Sequence, residues 1–214
     1  MKTKITALFT IVILVLSLAA CGANADTQTT QAQPETSSAQ NQPDETTGTA
    51  AEPVTNAGKT LVVYFSATGT TKGVAEKIAK VTNADLYEIK AAQAYTDADL
   101  NWHDSSSRTT KEQNDKSARP GIASEKLSLD GYTTIFIGYP IWWGEEPRIM
   151  DTFAESYSFD GITMIPFCTS GGSGIGRSGK NLEENAGSGT WLDGERLNSG
   201  VSEAELQNWI DSLQ

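Results

Sequence analysis

The chain has 214 residues, a formal net charge of −11 at pH 7 and two cysteines. This acidic balance argues against nucleic acid as a partner, because surfaces that bind nucleic acid are basic. If the thiol of Cys21 is modified, Cys168 is the only other thiol and no intrachain disulfide can form, so the stability of the fold has to come from a hydrophobic core.

The first 20 residues have the layout of a secretory signal peptide. Residues 1–4 carry two lysines, residues 5–18 are almost unbroken apolar sequence, and small residues precede Cys21. The apolar run is short for a transmembrane helix, which needs about 20 residues. The segment resembles a bacterial lipoprotein signal. The resemblance implies cleavage before Cys21, lipidation of its thiol, and a domain anchored outside the cytoplasm on the bacterial cell membrane. A retained anchor helix or an ordinary signal peptide is the alternative.

Residues 21–58 are expected to form a flexible acidic tether. From residue 22 onward they contain no Lys, Arg or aromatic residue but five acidic residues. Such a composition buries too little apolar surface to fold. The folded domain is therefore predicted to span residues 59–214, with 14 of the 16 basic and 22 of the 27 acidic residues, a net charge of −8. Because this charge repels anionic lipid, membrane attachment should depend on the anchor.

Apolar runs alternate with helical patterns along this domain. The predicted strands are residues 60–65, 85–89, 133–138, 163–168 and 191–197. Helices are predicted at residues 74–83, at 149–157, around Leu182, and from Ser202, which forms a capping-box pattern with Glu205. Solid apolar strands that alternate with helices indicate an α/β fold with three layers and a doubly wound parallel five-stranded sheet. The strand at 133–138 is expected to be central and the strand at 85–89 to lie nearer an edge.

In such a sheet the ligand lies beyond the carboxyl ends of the strands, where the strand order reverses. The loop after the first strand, residues 66–71, has hydroxyl or glycine residues at five of its six positions and leads into a helix. The unpaired N–H groups and the dipole of a helix start bind phosphate, and Ser and Thr hydroxyls add neutral donors. The loop therefore predicts an anion site. The alternative is that Thr70 or Thr71 is only a helix N-cap.

Two further loops follow central strands. Residues 139–144 place Trp142 and Trp143 in a loop, where bulky aromatic side chains are typical of a surface that covers a flat ligand. The alternative is that both tryptophans pack into the core under the next helix. Residues 169–176 have mostly small side chains, which let a ligand approach the backbone closely. A flexible turn without a binding role is the alternative there.

These three loops resemble those of the flavodoxin-like superfamily, and in particular the short bacterial flavodoxin-like lipoproteins that share the Pro-Ile-Trp-Trp-Gly sequence. The resemblance covers residues 59–214 and implies an FMN cofactor. It implies that the phosphate lies on the first loop, the isoalloxazine ring against the second, and the ring edge along the third. The residues implied as FMN contacts are Ser66, Thr68, Gly69, Thr70, Thr71, Tyr139, Pro140, Ile141, Trp142, Trp143, Gly144, Thr169, Ser170, Gly171 and Gly172.

The resemblance implies electron transfer through FMN to a redox partner protein or a small electron acceptor. An FMN-dependent NAD(P)H:quinone-type reductase and a flavin-free binding module of the same fold are the alternatives. An anchored domain outside the cytoplasm, where nicotinamide cofactors are scarce, favours the carrier.

Segment 91–129 is longer and more polar than its counterpart in ordinary flavodoxins. Residues 96–99 could cap a helix there. Trp102 is expected either to cover the flavin or to pin the segment to the domain, and the sequence does not favour one of the two.

Other motifs are weaker. Residues 174–179 match G-x-G-x-x-G but do not follow a strand directly, and Asn181 stands where a Walker loop needs Ser or Thr. His103 is the only histidine and is expected to be solvated, whereas Cys168 is expected to be a buried thiol. No Cys, His and Asp cluster has metal-ligand spacing, so no metal site is predicted.

Overall fold

A computed structural model of the protein describes residues 58–213. The predicted signal peptide, the lipidation site Cys21 and the tether up to residue 57 lie outside the described residues. Within residues 58–213, no helix has the length and apolar character that crossing a membrane requires.

All strand pairs of the sheet are parallel. The strands are β1 (Lys59–Tyr64), β2 (Asp85–Glu88), β3 (Tyr132–Pro140), β4 (Thr163–Thr169), β5 (Thr190–Trp191) and β6 (Glu195–Arg196). The helices are α1 (Thr70–Thr82), α2 (Arg108–Asn114), α3 (Arg148–Glu155), α4 (Ser178–Ala186) and α5 (Glu203–Asp211). The strand order is β2-β1-β3-β4-β5, with β6 also pairing with β4. The predicted α/β sheet, with β3 central and β2 at an edge, is confirmed.

The strands are solidly apolar because both faces of the sheet are buried. Alternation along β1 directs Leu61 and Val63 into one core cluster and Val62 and Tyr64 into the other. The first cluster includes the buried apolar residues of α3 and Leu182 of α4, and the second includes the buried apolar residues of α1 and α5. The sheet therefore lies between two helical layers, as predicted.

The predicted final strand is interrupted, and Pro166 explains the interruption. β5 pairs with Thr163 and Met164, whereas β6 pairs with Phe167 and Cys168. The carbonyls of Met164 and Cys168 in β4 accept hydrogen bonds from the chain that contains β5 and β6. Because every second residue of a strand faces the same neighbour, the backbone of Pro166 faces this chain as well. Because proline has no N–H to donate, the neighbouring strand cannot continue its ladder past that residue.

Two features of segment 91–129 differ from the prediction. Residues 97–100 form a turn and no helix follows directly, although Thr96 and Asp99 exchange the reciprocal side chain–backbone hydrogen bonds of a capping box. A helix that was not predicted, α2, begins after Ser107, whose side chain accepts a hydrogen bond from the Thr110 N–H. The predicted capping box of Ser202 and Glu205 at the start of α5 is confirmed.

The strand order places the three predicted loops together. The chain leaves β1 for the edge strand β2 and returns to β3 on the other side of β1, so the order reverses between β1 and β3. Since all strands run in the same direction, the loops that follow β1, β3 and β4 emerge at one edge of the sheet.

Candidate functional site

A cavity of about 370 Å³ lies at this edge of the sheet. It is lined by residues from the loop after β1, from the loop after β3 and from segment 91–129. The lining residues are Ser66, Ala67, Thr68, Thr71, Leu100, Trp102, Thr109, Pro140, Ile141, Trp142 and Trp143. The cavity therefore joins two of the three predicted loops with a segment whose role the sequence left open.

The loop after β1 leads into a helix start that no side chain caps. The N-cap of α1 is Gly69, in the left-handed conformation with φ 88°, and no side chain caps the helix. The alternative that Thr70 or Thr71 serves as the N-cap is therefore wrong. A Cβ at Gly69 would meet no atom within 4 Å, so glycine is required there for its positive φ. The first turn of α1 carries no acidic residue, which leaves the positive end of the helix dipole uncompensated.

The hydroxyl groups of this loop are used in different ways. The Oγ atom of Ser66 is buried and has no hydrogen-bond partner among the described residues. Burying a hydroxyl without a partner costs about 1–3 kcal/mol, so this oxygen is a candidate contact for a polar group of a ligand. The exposed Oγ1 atoms of Thr68 and Thr70 lie 3.4 Å apart. Thr71 is different, because its buried Oγ1 lies 2.8 Å from Oγ1 of Thr169.

The aromatic loop after β3 forms a tight hairpin turn, which we call the Trp142–Glu145 turn. The Trp142 N–H donates to the Glu145 carbonyl at 2.9 Å, and the Glu145 N–H donates to the Trp142 carbonyl at 3.0 Å. The two central residues, Trp143 and Gly144, have φ of 50° and 82°. Positive φ is unusual for a bulky residue and costs on the order of 1–3 kcal/mol, so surrounding contacts have to hold Trp143 in this conformation.

The two tryptophans have different environments. Trp142 is half-buried and packs edge-on against Phe65 and Tyr95, with ring centroids 5.7 and 5.2 Å apart. The alternative that both tryptophans pack into the core is therefore partly correct for Trp142. Trp143, in contrast, is 45% exposed and lines the cavity. Both tryptophans therefore line the cavity, Trp142 while packed against neighbouring aromatic rings and Trp143 as an exposed residue.

The side chain of Tyr139 is directed away from the cavity. It is fully buried, and its hydroxyl lies 3.0 Å from Oγ of Ser178 in α4. Burial raises the pKa of this phenol above its ordinary value. Tyr139 can therefore reach a ligand at this site only through its backbone.

The loop after β4 contacts the site through its first residue. The Thr169 carbonyl accepts a hydrogen bond from the Ile141 N–H at 2.9 Å, in addition to the contact of its side chain with Thr71. Ser170 donates to the carbonyl of Ser173 and accepts from the N–H of Gly172, so its hydroxyl is used within the loop. None of residues 169–172 lines the cavity. Their assignment as flavin contacts stays a prediction.

Segment 91–129 contributes Leu100, Trp102 and Thr109, of which the sequence singled out only Trp102. Trp102 is 66% exposed and stacks on His103, so it does not pin the segment to the domain. Tyr95 pins the segment instead. Its ring centroid lies 5.8 Å from that of Phe65, and the guanidinium carbon of Arg108 lies over its ring, 4.0 Å from the centroid. Ser107 is a typical N-cap residue, and recognising it would have predicted the start of α2, the helix that contains Thr109.

The remaining sequence motifs lie elsewhere. Lys180, the residue that a Walker loop would direct at phosphate, is inside α4 and pairs with Glu183 at 2.7 Å. Cys168 is a buried free thiol, as predicted, and burial raises its pKa to about 12. In residues 58–213, no group of three or more His, Cys, Asp and Glu side chains is arranged to hold a metal ion.

Comparison with known proteins gives consistent matches. The model of the family described as Flavodoxin matches residues 59–213. A crystal structure described as a flavoprotein of Bacteroides eggerthii DSM 20697 shares 46% identity over 72% of this chain and 97% of its own, with a TM-score of 0.69. A second, from Bacteroides uniformis ATCC 8492, shares 48% identity over 72% and 98%, again with a TM-score of 0.69.

A third structure is a flavoprotein from Lactobacillus acidophilus NCFM in complex with FMN. It is 25% identical over 72% of this chain and 99% of its own, with a TM-score of 0.54. The comparison with curated proteins gives no match.

Proposed function

The chain belongs to the flavodoxin family, and from this premise we propose that it binds FMN in the cavity beyond β1 and β3 and transfers electrons through it. The observation that carries the proposal is the buried, unpaired Oγ of Ser66 beside the uncapped start of α1. An anion with several acceptor oxygens would accept a hydrogen bond from this hydroxyl and from the free N–H groups of the helix.

The donors at this site suit a phosphate held without basic side chains. The residues that line the cavity include no Lys or Arg. The exposed hydroxyls of Thr68 and Thr70 lie at the same helix start, within reach of one anion. Neutral hydroxyls and main-chain amides hold a phosphate through hydrogen bonds to a charged acceptor, which are stronger than neutral ones. This set of donors therefore fits the phosphate of FMN.

The rest of the cavity suits a flat ring system. Pro140, Ile141 and Trp143 of the loop after β3 contribute apolar lining, and Leu100 and Trp102 of segment 91–129 contribute more. Tryptophan presents a large flat face with a high area of contact, which favours aromatic rings as ligands. The FMN complex of the relative from Lactobacillus acidophilus supports the same identification. A flavin-free binding module would not explain the unpaired hydroxyl of Ser66.

Bound FMN would supply one-electron and two-electron redox chemistry, which the protein tunes through nearby groups. The protein's own residues would bind the cofactor, orient it and shield its ring from water. The start of α1 with Ser66, Thr68 and Thr70 would hold the phosphate, and the walls at Trp143 and Trp102 would keep water from the ring faces. Both tryptophans are exposed at the cavity mouth, which leaves a route for electrons to an acceptor outside.

The experiment is a titration of the purified residues 59–214 with FMN and, in parallel, with riboflavin, which lacks the phosphate. We expect FMN to bind at least tenfold more tightly than riboflavin, since the charged hydrogen bonds at α1 contribute about 1.5–3 kcal/mol each. Equal affinities would contradict the phosphate site. Steady-state oxidation of NAD(P)H by the loaded protein would favour the reductase over the carrier.

We further propose that the domain is lipid-anchored outside the cytoplasm through Cys21. The sequence of residues 1–21 supports this proposal. Detergent-phase partitioning of the full chain tests it: the wild type should enter the detergent phase, and Cys21→Ser should stay in the aqueous phase. Equal partitioning of the two would refute lipidation at Cys21.

A further inference from the structure

Gln113 of α2, which does not line the cavity, contacts the backbone of the Trp142–Glu145 turn and of the residue that follows it. The Nε2 atom of Gln113 donates to the Trp142 carbonyl at 3.0 Å and to the Glu146 carbonyl at 3.1 Å. Both partners are carbonyl oxygens, so the nitrogen of the amide has to face them. Gln113 is itself buried. One side chain therefore fixes the backbone on both sides of the left-handed Trp143.

Arg148, the first residue of α3, connects the same elements. Its Nη2 atom donates to Oε2 of Glu145 at 2.6 Å and to the backbone carbonyl of Gln113 at 3.2 Å. Arg148 is 4% exposed, and Glu146 and Asp151 lie 3.4 and 3.3 Å from its Nη1 atom. The guanidinium thus links the end of the turn, the end of α2 and the start of α3 in one buried network.

The side-chain amide of Gln113 forms hydrogen bonds through its nitrogen but not through its oxygen. Its Oε1 atom is buried and has no hydrogen-bond partner among the described residues. A buried unpaired oxygen destabilises the fold, so an apolar side chain would suit the packing better. Among the described residues, the amide gains its two donor contacts, one to Trp142 in the turn and one to Glu146 directly after it. Such a cost at one atom is typical of a residue that serves a nearby functional site.

We propose that Gln113 and Arg148 are positioning residues that hold Trp143 in its left-handed conformation at the cavity wall. Neither residue lines the cavity. Gln113 belongs to α2, the helix that also supplies Thr109 to the cavity lining. The inference rests on the proposed FMN function for its consequence, a wall preorganised for a flat ring.

The first test needs no flavin. Gln113→Met removes both donors, keeps the length of the side chain, and is compared with Gln207→Met on the exposed face of α5. Hydrogen exchange of the Glu145 amide in the flavin-free protein should be faster by about tenfold in Gln113→Met, because the turn opens more often without the external bonds. Gln207→Met should leave it unchanged. An unchanged Glu145 exchange rate in folded Gln113→Met would overturn the inference.

The second test is a double-mutant cycle read by FMN affinity. Trp143→Asn removes the ring and tolerates the positive φ. Gln113→Met alone should weaken FMN binding by about tenfold, since the wall loses its preorganisation. In the Trp143→Asn background the same change should have no further effect, because Gln113 acts only through the turn. Additive losses would overturn the inference.

Arg148→Lys keeps the buried positive charge but loses the fork that reaches Glu145 and Gln113, and it undergoes both measurements. If Gln113→Met does not fold, the hydrogen exchange and FMN affinity of Arg148→Lys test the positioning role in its place, with the same expected results. Failure of the wild type to bind FMN would refute the proposed function while the hydrogen-exchange result still decides the positioning role, so the two failures are distinguishable.

Discussion

The hydroxyl oxygens of Thr71 and Thr169 lie 2.8 Å apart, although the two residues are separated by 97 others in the sequence. Both side chains are buried, Thr71 in the first turn of α1 and Thr169 at the end of β4. The contact ties the loop after β1 to the loop after β4. It also means that these two hydroxyls are paired within the protein, whereas the Ser66 hydroxyl has no partner among the described residues and the exposed Thr68 and Thr70 hydroxyls share only a longer contact of 3.4 Å. Those three hydroxyls are therefore the freer donors for an anion.

Removing one hydroxyl of this pair should destabilise the domain. Thr71→Val leaves the Thr169 hydroxyl buried and unpaired, so the free energy of unfolding should fall by about 1–3 kcal/mol. The double variant Thr71→Val with Thr169→Val should lose less than the sum of the single variants, since no unpaired hydroxyl is left behind. Denaturant unfolding of the flavin-free domain measures this, with exposed Thr190→Val as the control. Strictly additive losses would show that the two hydroxyls do not interact.

Ser66→Ala should have opposite effects on stability and on binding. In the flavin-free protein it removes a buried oxygen without a partner, so the free energy of unfolding should be unchanged or higher by about 1 kcal/mol. FMN affinity should fall about tenfold or more, because the phosphate loses a donor. Chemical denaturation and FMN titration of the same preparation measure the two effects. A destabilised apoprotein with undiminished FMN affinity would be inconsistent with a phosphate contact at Ser66.

Trp102→Ala tests whether this exposed residue covers the ligand. Because Trp102 is 66% exposed, the free energy of unfolding should change by less than about 0.5 kcal/mol. FMN affinity should fall several-fold, and the bound flavin should become more fluorescent as a quenching ring is lost. Leu86→Ala, at an exposed apolar residue of β2 outside the cavity lining, is the control. A large loss of stability in Trp102→Ala would mean that the residue pins segment 91–129 instead.

The buried Glu146 predicts a specific pH dependence of stability. It is 1% exposed, and burial, with the charge of Asp151, raises its pKa from 4.5 to about 7. Nδ2 of Asn181 lies 3.1 Å from its carboxylate, and Arg148 and Asp151 of α3 also face it. Since the folded state holds this proton more tightly than the unfolded state, the contribution of Glu146 is fully present below pH 4.5. It is lost as the pH rises through about 7.

Glu146→Gln removes this linkage. The stability of the variant relative to the wild type should therefore rise between pH 5 and pH 8, by up to about 3 kcal/mol. Urea unfolding at several pH values measures the difference, and Glu125→Gln at an exposed carboxylate is the control. Parallel stability curves for the wild type and Glu146→Gln would show that Glu146 does not titrate in this range.

Much of the fold could be predicted from local sequence patterns. Continuous apolar runs such as residues 133–138 mark strands buried on both faces, and the spacing of Ser202 and Glu205 marks a helix start. The split of the last strand could not be predicted from residues 191–197 themselves. Its cause is Pro166, which lies in the neighbouring strand and lacks the N–H that the ladder needs.

The candidate site was predictable in its loops but not in its contacts. The Ser66–Thr71 sequence indicates an anion site because a strand end, small polar residues and a helix start lie next to each other in the chain. Thr109 and Gln113 escaped prediction because their helix is short and polar, and only the tertiary fold brings it to the aromatic loop. Both Trp142 and Trp143 line the cavity, but only Trp143 is exposed, and its positive φ could not be predicted from the local sequence.

The most direct test of the central claim is the FMN affinity of the double variant Thr68→Val with Thr70→Val. These two exposed hydroxyls lie at the uncapped start of α1, and neither takes part in the packing of the core. If uncharged donors hold the phosphate, the double variant should bind FMN about a hundredfold more weakly while its riboflavin affinity and its stability stay near those of the wild type. Thr133→Val, at an exposed threonine of β3, should leave FMN binding unchanged. An undiminished FMN affinity in the double variant would contradict the account.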